Sequence, residues 1–508
     1  MVLNGERLRK VPQSLHNILS YVKIKQNNRI LGINFSTNLD TIFEINYRNK
    51  LKEIERLLTK WEKRNLTPFG KITVIKTLAV PKLLYLFLNL PDPPECFMKK
   101  LDDIIYKFLW DSKPSKINRH TIQLEKEEGG LDMINLKNFI SGLKLSWLRR
   151  LITDTDFKAR VLNFYPMLKN LYKMGGEVTK VLVQHSFNPF WEEVIKKYEY
   201  LCNNTTPENC SEFVSEFIFF NRNIVIGGKV VYIKDWIDKN IVQIGELLNN
   251  NNQFMTYQEF INRYNINTDF ITYQGIIQSI KSYMRKLNLN IEREEYTVQQ
   301  PKVWKIILTG NTMIKTQLLQ KGPKHTAITK WNFKYGILNW EEIFKQIHQS
   351  TQETKLKWFA YKIIYRIIPT NRHLFLLKIK GNPICDFCKE NEQTIIHLFW
   401  QCEHVSRFWA RLETLIKETC RDHENFNLSE ELVLFGIKEH VEIGLILYLV
   451  ILYAKYYIFI CKIEERIPRV EYFRIFMKAK MMTEMKSQPE HRKNLFNELL
   501  VPYQNLLL

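Results

Sequence analysis

Residues 385–402 read CDFCKENEQTIIHLFWQC, which places Cys385, Cys388, His397 and Cys402 in a Cys-x2-Cys-x8-His-x4-Cys pattern. Two cysteines in a Cys-x2-Cys pattern can hold one side of a tetrahedral ion from a tight turn, and the later histidine and cysteine can close the other side. Three thiolates and one imidazole fill every coordination position and leave none for water. The pattern therefore predicts a structural zinc ion rather than a catalytic one.

The spacing between His397 and Cys402 constrains the backbone. Residues five apart on an ideal α-helix point roughly 140° apart and cannot share an ion. We therefore expect the helix that carries His397 to end or turn near Cys402. Two alternatives stay open: His404 as the fourth ligand, and a set of buried reduced cysteines with a core histidine and no metal.

Length, composition and charge limit the function classes. A chain of 508 residues is too long for a single core. With 45% hydrophobic and 13% aromatic residues, we expect folded domains rather than a disordered chain. The net charge of +21 favours a polyanionic partner, because each Lys or Arg placed on a phosphate releases condensed counterions. Together with a zinc module, the charge predicts that RNA, DNA or both are partners.

The N-terminal residues lack the long apolar core of a secretory signal. We expect an intracellular protein, in the nucleus or cytoplasm and not secreted, because a reducing compartment also suits thiolate ligands. Residues 443–460 are apolar enough to suggest a membrane span, but Lys455 and four tyrosines favour a buried core helix. No membrane partner is therefore expected.

The periodicity of apolar residues predicts a mainly helical fold after Asp40, because they recur at three- and four-residue steps. Residues 20–36 alternate instead, which predicts a β-hairpin with its turn at Asn27-Asn28. Thr67 is the predicted N-cap of a helix that begins at Pro68. Further helices are predicted over residues 96–110 and 138–151.

A predicted helix over residues 355–367 combines basic residues with aromatic ones. These aromatics are Trp358, Phe359, Tyr361 and Tyr365. Aromatic side chains between cations can stack on nucleic-acid bases, although aromatics at helical spacing more often form core. Both interpretations remain open at the level of the sequence.

The most basic part of the chain is its first third. Residues 1–150 contain 27 Lys and Arg against 15 Asp and Glu, a difference of +12. We expect this surface to bind the phosphates of a nucleic acid, with a solvated helix face as the alternative for each single residue. The candidate contacts are Lys71, Lys76, Lys82, Lys99, Lys100, Arg149 and Arg150.

Several stretches together resemble the C-terminal part of a non-LTR (LINE-type) retrotransposon reverse transcriptase. RILGI at 29–33 is similar to the strand after the polymerase palm, and LTPFGKI at 66–72 with VPKLLY at 80–85 is similar to the thumb helices. GGL at 129–131, with NL at 135–136 and Trp147, resembles the next block. The most specific resemblance is to the reverse-transcriptase zinc-binding region, from Trp358 through the four predicted ligands to Phe408-Trp409. AKYYI at 454–458 resembles its C-terminal helix.

The resemblance implies a mainly α fold, with a multi-helix thumb-like bundle, a small N-terminal β-hairpin and a C-terminal helical zinc-binding domain. We expect four parts: residues 1–40 as the end of a palm-like β-hairpin, 41–151 as a thumb-like helical domain, 152–340 as a helical connector and 341–508 as the zinc-binding domain. The thumb-like part would hold a template–primer duplex, and the zinc region would hold element RNA or target DNA.

The catalytic motifs of a polymerase are not recognisable in this sequence. Reverse transcription in this family needs three palm carboxylates that hold two metal ions. The single Asp-Asp pair, Asp102-Asp103, lies in a helical pattern, and PRVE at 468–471 lacks the aspartate of a restriction-like nuclease. We therefore expect a C-terminal remnant without polymerase activity of its own, for which the parent's palm and endonuclease are candidate partners. The alternatives are a residual nuclease or polymerase, a protein-interaction scaffold, or a nonfunctional relic.

Overall fold

The computed structural model describes residues 27–36, 39–179, 188–291, 296–319, 326–419, 427–438, 441–442 and 444–503. Over these residues the chain is mainly helical, as predicted. The helices of the N-terminal half are α1 (Leu39–Glu62), α2 (Pro68–Val74), α3 (Pro81–Asn89), α4 (Glu95–Leu109), α5 (Arg119–Gln123), α6 (Leu136–Thr153), α7 (Thr155–Phe164), α8 (Pro189–Asn203), α9 (Cys210–Val214) and α10 (Lys234–Asp238).

The C-terminal half continues in the same way. Its helices are α11 (Tyr257–Tyr264), α12 (Phe270–Lys286), α13 (Lys302–Thr309), α14 (Asn311–Leu318), α15 (Thr326–Tyr335), α16 (Trp340–Ser350), α17 (Thr354–Ile364), α18 (Asn371–Leu376), α19 (Glu403–Thr419), α20 (Glu430–Phe435), α21 (Leu445–Ile463), α22 (Val470–Ser487) and α23 (Glu490–Leu500). The π turns are Ile75–Ala79 and His397–Gln401, and the 3₁₀ turns are Pro166–Lys173, Gly176–Val178, Ile244–Leu247 and Val501–Tyr503.

Over the described residues, the strands form three short antiparallel hairpins. They pair β1 (Asn27–Ile30) with β2 (Ile33–Ser36), β3 (Val225–Ile226) with β4 (Lys229–Val230), and β5 (Ile437–Lys438) with β6 (Val441–Glu442). The N-terminal hairpin confirms the predicted small β element.

The turn of the N-terminal hairpin is not where the sequence predicted it. Ile30 pairs with Ile33, so the turn residues are Leu31 and Gly32. Their φ angles are 47° and 87°, and a two-residue hairpin turn of this kind requires positive φ at both positions. The predicted turn at Asn27-Asn28 is wrong, because both residues lie in β1. The predicted strand over residues 21–25 lies outside the described residues.

The predicted N-cap of α2 is confirmed. The Thr67 hydroxyl oxygen accepts a hydrogen bond from the Gly70 N–H, and Pro68 occupies the first helical position, where no N–H is needed. After α2 the chain forms the π turn Ile75–Ala79, and α3 begins at Pro81. Helix α2 is therefore separated from α3 by the π turn and by Pro81, which cannot donate a helical N–H hydrogen bond.

The chain forms two compact units, each assembled from three stretches. The first unit contains Met1–Ile54, Val80–Lys100 and Asn135–Lys321. The second unit contains Glu55–Ala79, Leu101–Ile134 and Gly322–Leu508. The four-part division expected from the sequence stays a prediction.

The first unit has a core of apolar and aromatic side chains between Leu145 and Leu318. Within it, the rings of Trp236 and Phe260 lie 4.6 Å apart, and those of Phe260 and Tyr273 lie 4.8 Å apart. Helix α6 packs against α8 and α14 at one side of this core. Burial of this many large side chains supplies the main driving force for folding the unit.

Helix α6 also buries a lysine in the first unit. The Lys144 side chain is fully buried, and its Nζ donates to the Leu90 carbonyl and lies 4.0 Å from Asp92 Oδ1. Burial lowers the pKa of Lys144 to about 8. Three residues after Lys144 in α6, the Trp147 indole N–H donates to the Leu88 carbonyl over 2.9 Å. Helix α6 therefore holds the end of α3 and the residues that follow it in place.

The core of the second unit is built around α21. This helix is long and apolar enough to span a bilayer, but 78% of its apolar window is buried inside the protein. It packs against α16, α17, α22 and the π turn His397–Gln401. Lys455 within it is 2% exposed and donates to the Leu434 carbonyl over 3.1 Å. The structure thus agrees with the interpretation of this segment as a core helix.

A double-glycine turn in the second unit is held by tyrosines of the basic, aromatic segment. The Tyr361 hydroxyl donates to the Gly130 carbonyl over 3.0 Å, and the Tyr365 hydroxyl donates to the Gly129 carbonyl. Gly129 has a φ of 87°, and a Cβ on Gly130 would overlap the Leu124 carbonyl oxygen. Only glycine fits both positions.

The four aromatics of that segment are all buried. Trp358 is the most exposed of them, at 7%. Trp358, Phe359 and Tyr361 lie in α17, and Tyr365 directly follows it. They form core, the more common of the two alternatives, and their faces are not available to stack on bases.

Candidate metal centre

The first two predicted ligands lie in a tight turn after a short antiparallel pairing. The Cys385 N–H donates to the Asn391 carbonyl, and the Gln393 N–H donates to the Pro383 carbonyl, each over 2.8 Å. The Lys389 N–H then donates back to the Cys385 carbonyl over 3.1 Å, with Lys389 at a positive φ of 60°. The chain therefore folds back on itself directly after Cys388.

The other two predicted ligands lie at the two ends of a π turn. The Cys402 N–H donates to the His397 carbonyl over 3.0 Å, five residues earlier in the chain. Cys402 itself has an extended backbone, with φ −63° and ψ 130°. An i→i+5 turn brings residues five apart to the same side, which an α-helix cannot do. The expectation that the helix changes course near Cys402 is confirmed.

These two turns bring the four ligand atoms together. The sulfur atoms of Cys385, Cys388 and Cys402 and a ring nitrogen of His397 all lie within 4.8 Å of one another. The Sγ atoms of Cys385 and Cys402 are 4.0 Å apart, and Cys388 Sγ is 3.4 Å from His397 Nε2.

Two of the distances between these atoms, 4.0 Å and 3.4 Å, are close to those around a tetrahedral zinc ion. With Zn–S near 2.3 Å and Zn–N near 2.0 Å, tetrahedral ligand atoms lie roughly 3.5–3.8 Å apart. His404, the alternative fourth ligand, does not belong to the cluster that the described residues form.

The burial of the cluster also suits a divalent cation. Cys385 and Cys402 are fully buried, and His397 is 6% exposed. A hydrogen bond from Cys402 lowers the pKa of the Cys385 thiol, and His397 adds to this effect. The facing thiolate in turn raises the pKa of Cys402. Soft, anionic sulfur ligands with one imidazole, shielded from water, are a donor set that zinc prefers.

A polar side chain and a backbone N–H that the sequence analysis missed support the cluster. Gln393 is fully buried, and its Nε2 lies 3.6 Å from Cys385 Sγ, to which it donates. Its Oε1 accepts from the Asn371 N–H over 3.1 Å. Such partners fix the orientation of a metal ligand. Gln393 could have been proposed from the sequence, because it lies between the ligands Cys388 and His397. No feature of the sequence marked Asn371.

The metal centre is continuous with the core of the second unit. The Trp409 indole N–H donates to the Phe399 carbonyl in the π turn over 2.7 Å, and both side chains are buried. The π turn also packs against α19, α20 and α21. A displacement of the four ligands would therefore directly disturb the packing of α21, the core helix of this unit.

Three of the lysines predicted to contact phosphates are ion-paired within the protein. Lys71 is 2% exposed and pairs with Asp111 in the second unit. Lys76 Nζ lies 2.5 Å from Asp132 Oδ2 in the second unit, and in the first unit Lys82 Nζ lies 2.7 Å from Glu53 Oε1. In this structure Lys71 is not accessible to a phosphate, and the charges of the other two are largely compensated.

The remaining four predicted contacts belong to the first unit. Lys100 and Arg150 are exposed and Arg149 is half-buried. Lys99 and Arg150 form i,i+4 pairs with exposed or half-buried carboxylates of their own chain segment. Such surface pairs contribute little and exchange easily for a phosphate. The role of these four residues in binding nucleic acid stays a prediction.

The Asp-Asp pair lies on a helix and not on a strand. Asp102 and Asp103 are both within α4, and Asp103 is exposed. Among the described residues, no group of three or more Asp, Glu, His or Cys side chains besides the Cys3His cluster gathers at metal-binding distance.

One comparison bears on the same segment. Residues 326–409 match the model of a protein family described as zinc-binding in reverse transcriptase. The matched segment contains all four clustered ligands and extends from α15 into α19. The match supports a protein related to reverse transcriptases, with a zinc-binding region where the ligand atoms converge.

Proposed function

We propose that this chain is a nucleic-acid-binding module related to LINE-type retrotransposon reverse transcriptases, built around a structural zinc ion. The observation that carries the proposal is the convergence of four ligand atoms within 4.8 Å, inside a segment that matches a reverse-transcriptase zinc-binding family. Zinc held by Cys385, Cys388, His397 and Cys402 has no open coordination position. Its role is therefore to fix the fold and not to activate a substrate.

The bound nucleic acid is template RNA or target DNA. The net charge of +21 supports such a partner, because counterion release rewards contacts between cations and phosphates. Residues 41–151 act as a thumb-like part in this proposal, which the exposed cations Lys100 and Arg150 support. Such contacts fix the position of the backbone and carry no sequence information.

The module does not polymerise by itself. The helical setting of Asp102 and Asp103 supports this part of the proposal, because the family's carboxylates lie on a palm strand. Primer extension on RNA and DNA templates with Mg²⁺ or Mn²⁺ tests it. Extension that disappears in an Asp102→Asn variant would overturn it.

The experiment that tests the binding function measures the affinity of zinc-loaded chain for structured RNA, an RNA–DNA hybrid and duplex DNA over a salt series. We expect binding whose affinity falls steeply as salt increases. Folded, zinc-loaded protein that binds none of the three at low salt would overturn the proposal.

A protein-interaction scaffold is the second candidate. It is favoured by apolar side chains that remain exposed near the metal centre in the sequence: Leu376 and Ile379 are each 69% exposed, and Leu377 is 56% exposed. Contiguous exposed apolar surface commonly marks a protein interface. A lack of binding to nucleic acid at every salt concentration would favour the interaction scaffold over the nucleic-acid-binding module.

A further inference from the structure

A cleft of about 780 Å³ opens in the second unit beside the metal centre. Its walls come from the segment before α5, from α15, from the end of α17, from α18 and from residues 394–396. The last wall leads directly into His397, so the same backbone borders the cleft and holds a metal ligand. The cleft is large enough for a ligand of several chemical groups.

The charge of this cleft is entirely positive. Lys116, Lys330, Arg366 and Arg372 line it together with His373, and among the described residues no Asp or Glu does. Asn118, Thr326, Thr370 and Thr394 supply further polar groups to the lining. A concave site with cations and neutral hydrogen-bonding groups, but without carboxylates, is suited to an anion with several charges.

Three of the four Lys and Arg side chains of the cleft are not neutralised by any of the described residues. Lys116, Lys330 and Arg366 are exposed and form no ion pair with any of the described residues. Arg372 pairs with Glu392 over 2.7 Å, but both side chains are half exposed, so the pair contributes little. The cleft therefore differs from Lys71, Lys76 and Lys82, which already form ion pairs with carboxylates.

Arg366 is held in position despite having no acidic partner. Its guanidinium lies over the ring of Trp331, 4.4 Å from the centroid, and its backbone has a positive φ of 57°. Trp331 is itself fixed, because its indole N–H donates to the Ile364 carbonyl over 2.8 Å. Nearby Arg372 repels Arg366 and contributes to lowering its pKa, after burial. A guanidinium fixed by stacking, with its N–H groups unused by carboxylates, is well suited to a phosphate.

We infer that this cleft binds the phosphodiester backbone of a single-stranded nucleic acid, with Lys116, Lys330 and Arg366 as phosphate contacts. The inference rests on the proposed function and assigns that function a place and a preferred strand form. Proteins that hold single strands use a positively charged groove that follows the backbone. A duplex instead presents its phosphates on a convex cylinder, too wide to enter a cleft of this volume.

The experiment compares two triple variants of the full, zinc-loaded chain. The cleft variant is Lys116→Gln/Lys330→Gln/Arg366→Gln. The matched control is Lys355→Gln/Lys478→Gln/Lys486→Gln, which removes the same charge from exposed lysines of the second unit that do not line the cleft. Affinities for an unstructured oligouridylate, the equivalent single-stranded DNA and a duplex are measured by fluorescence anisotropy over a salt series.

We expect the cleft variant to lose at least about tenfold in affinity for both single strands at low salt. Its salt slope should fall by roughly 2, since each phosphate contact contributes about 0.7 for a single strand. The control should change much less, and the duplex should lose less than the single strands. Equal losses in both variants, or an equal loss for the duplex, would overturn the inference while leaving nucleic-acid binding intact.

Failure of the proposed function has a different signature. In that case the unmodified protein binds no nucleic acid at low salt, and both proposals fall together. Zinc content and thermal unfolding are measured for every variant. If the triple variant is unstable, Lys116→Gln/Lys330→Gln carries the test, because both side chains are exposed and lie outside the core. Its salt slope should fall by roughly 1.4, and an unchanged slope would overturn the inference.

Discussion

The Nε2 atom of His397 lies 3.4 Å from the Sγ atom of Cys388, across nine positions of the chain. A second pair, Cys385 and Cys402, lies 4.0 Å apart across 17 positions. Neither the tight turn nor the π turn would hold these distances alone. An ion bound by all four therefore cross-links two turns, and its binding energy adds to the stability of the fold.

Replacing one ligand should release the metal and destabilise the second unit. In Cys388→Ser the weaker hydroxyl ligand cannot replace a thiolate, so we expect zinc to be lost and the unit to lose at least about 3 kcal/mol. Elemental analysis and thermal unfolding measure both effects. Cys96→Ser is the matched control, because Cys96 is an exposed cysteine of the first unit. Unchanged zinc content in Cys388→Ser would contradict a metal site here.

Gln393 should affect metal affinity without being a ligand. Gln393→Met keeps the size of the side chain but removes the N–H that donates to Cys385 Sγ. We expect zinc to bind roughly 10- to 100-fold more weakly, as measured by competition with a chromogenic chelator. Gln401→Met changes an exposed glutamine of the π turn and should leave the affinity unchanged. Equal affinities in the two variants would show that the Gln393 hydrogen bond is immaterial.

The buried Lys71 should matter for stability. Asp111→Asn removes its charged partner but tolerates the positive φ of 54° at this position. We expect a loss of roughly 1–3 kcal/mol in urea unfolding, because the buried Lys71 Nζ loses its carboxylate hydrogen-bond acceptor. Asp103→Asn, at an exposed aspartate, is the control. If both variants unfold at the same urea concentration, the Lys71 ion pair contributes nothing.

The double-glycine turn should not tolerate a side chain. Gly130→Ala places a methyl group against the Leu124 carbonyl, and we expect a loss of about 3 kcal/mol or an unfolded second unit. Gly381→Ala is the control, because nothing lies within 4 Å of its Cβ position. Thermal unfolding compares the two. A Gly130→Ala protein as stable as the control would mean that this turn is not packed as described.

His348 should make the protein sensitive to acid. Burial, with smaller contributions from Lys357 and Lys126, lowers its pKa from 6.5 to about 3. Between these values the unfolded chain binds a proton that the folded protein does not. The contribution is therefore fully present above pH 6.5 and is lost as the pH falls toward 3.

Removing this histidine should flatten the pH dependence. In His348→Gln we expect the free energy of unfolding to fall less steeply below pH 6.5 than in the unmodified protein, whereas His491→Gln, at an exposed position, should follow the unmodified protein. Urea unfolding at a series of pH values measures the slopes. Identical slopes for all three proteins would exclude His348 as a source of acid sensitivity.

The sequence predicted features that depend on neighbouring residues. Cys3His spacing defined the metal cluster, and the cap at Thr67 follows from local backbone requirements. The hairpin turn was misplaced although the signal was local, because Gly32 was a stronger turn residue than either asparagine. Positive φ at the second turn position decides the register.

Long-range partners could not be predicted in the same way. Lys71 and Lys76 find their carboxylates 40 and 56 positions away, so a basic stretch of sequence did not translate into free cations. The cleft could not be predicted for the same reason, because Lys116 and Arg366 are distant in the sequence and line one cleft only after folding. Pairwise charge compensation is a property of the tertiary structure, and one sequence does not encode it in any short pattern.

X-ray absorption at the zinc edge of the purified protein tests the central claim most directly. The Cys3His site predicts one zinc per chain with three sulfur neighbours near 2.3 Å and one nitrogen near 2.0 Å. A shell dominated by oxygen, or fewer than three sulfur neighbours, would contradict a structural zinc ion held by Cys385, Cys388, His397 and Cys402.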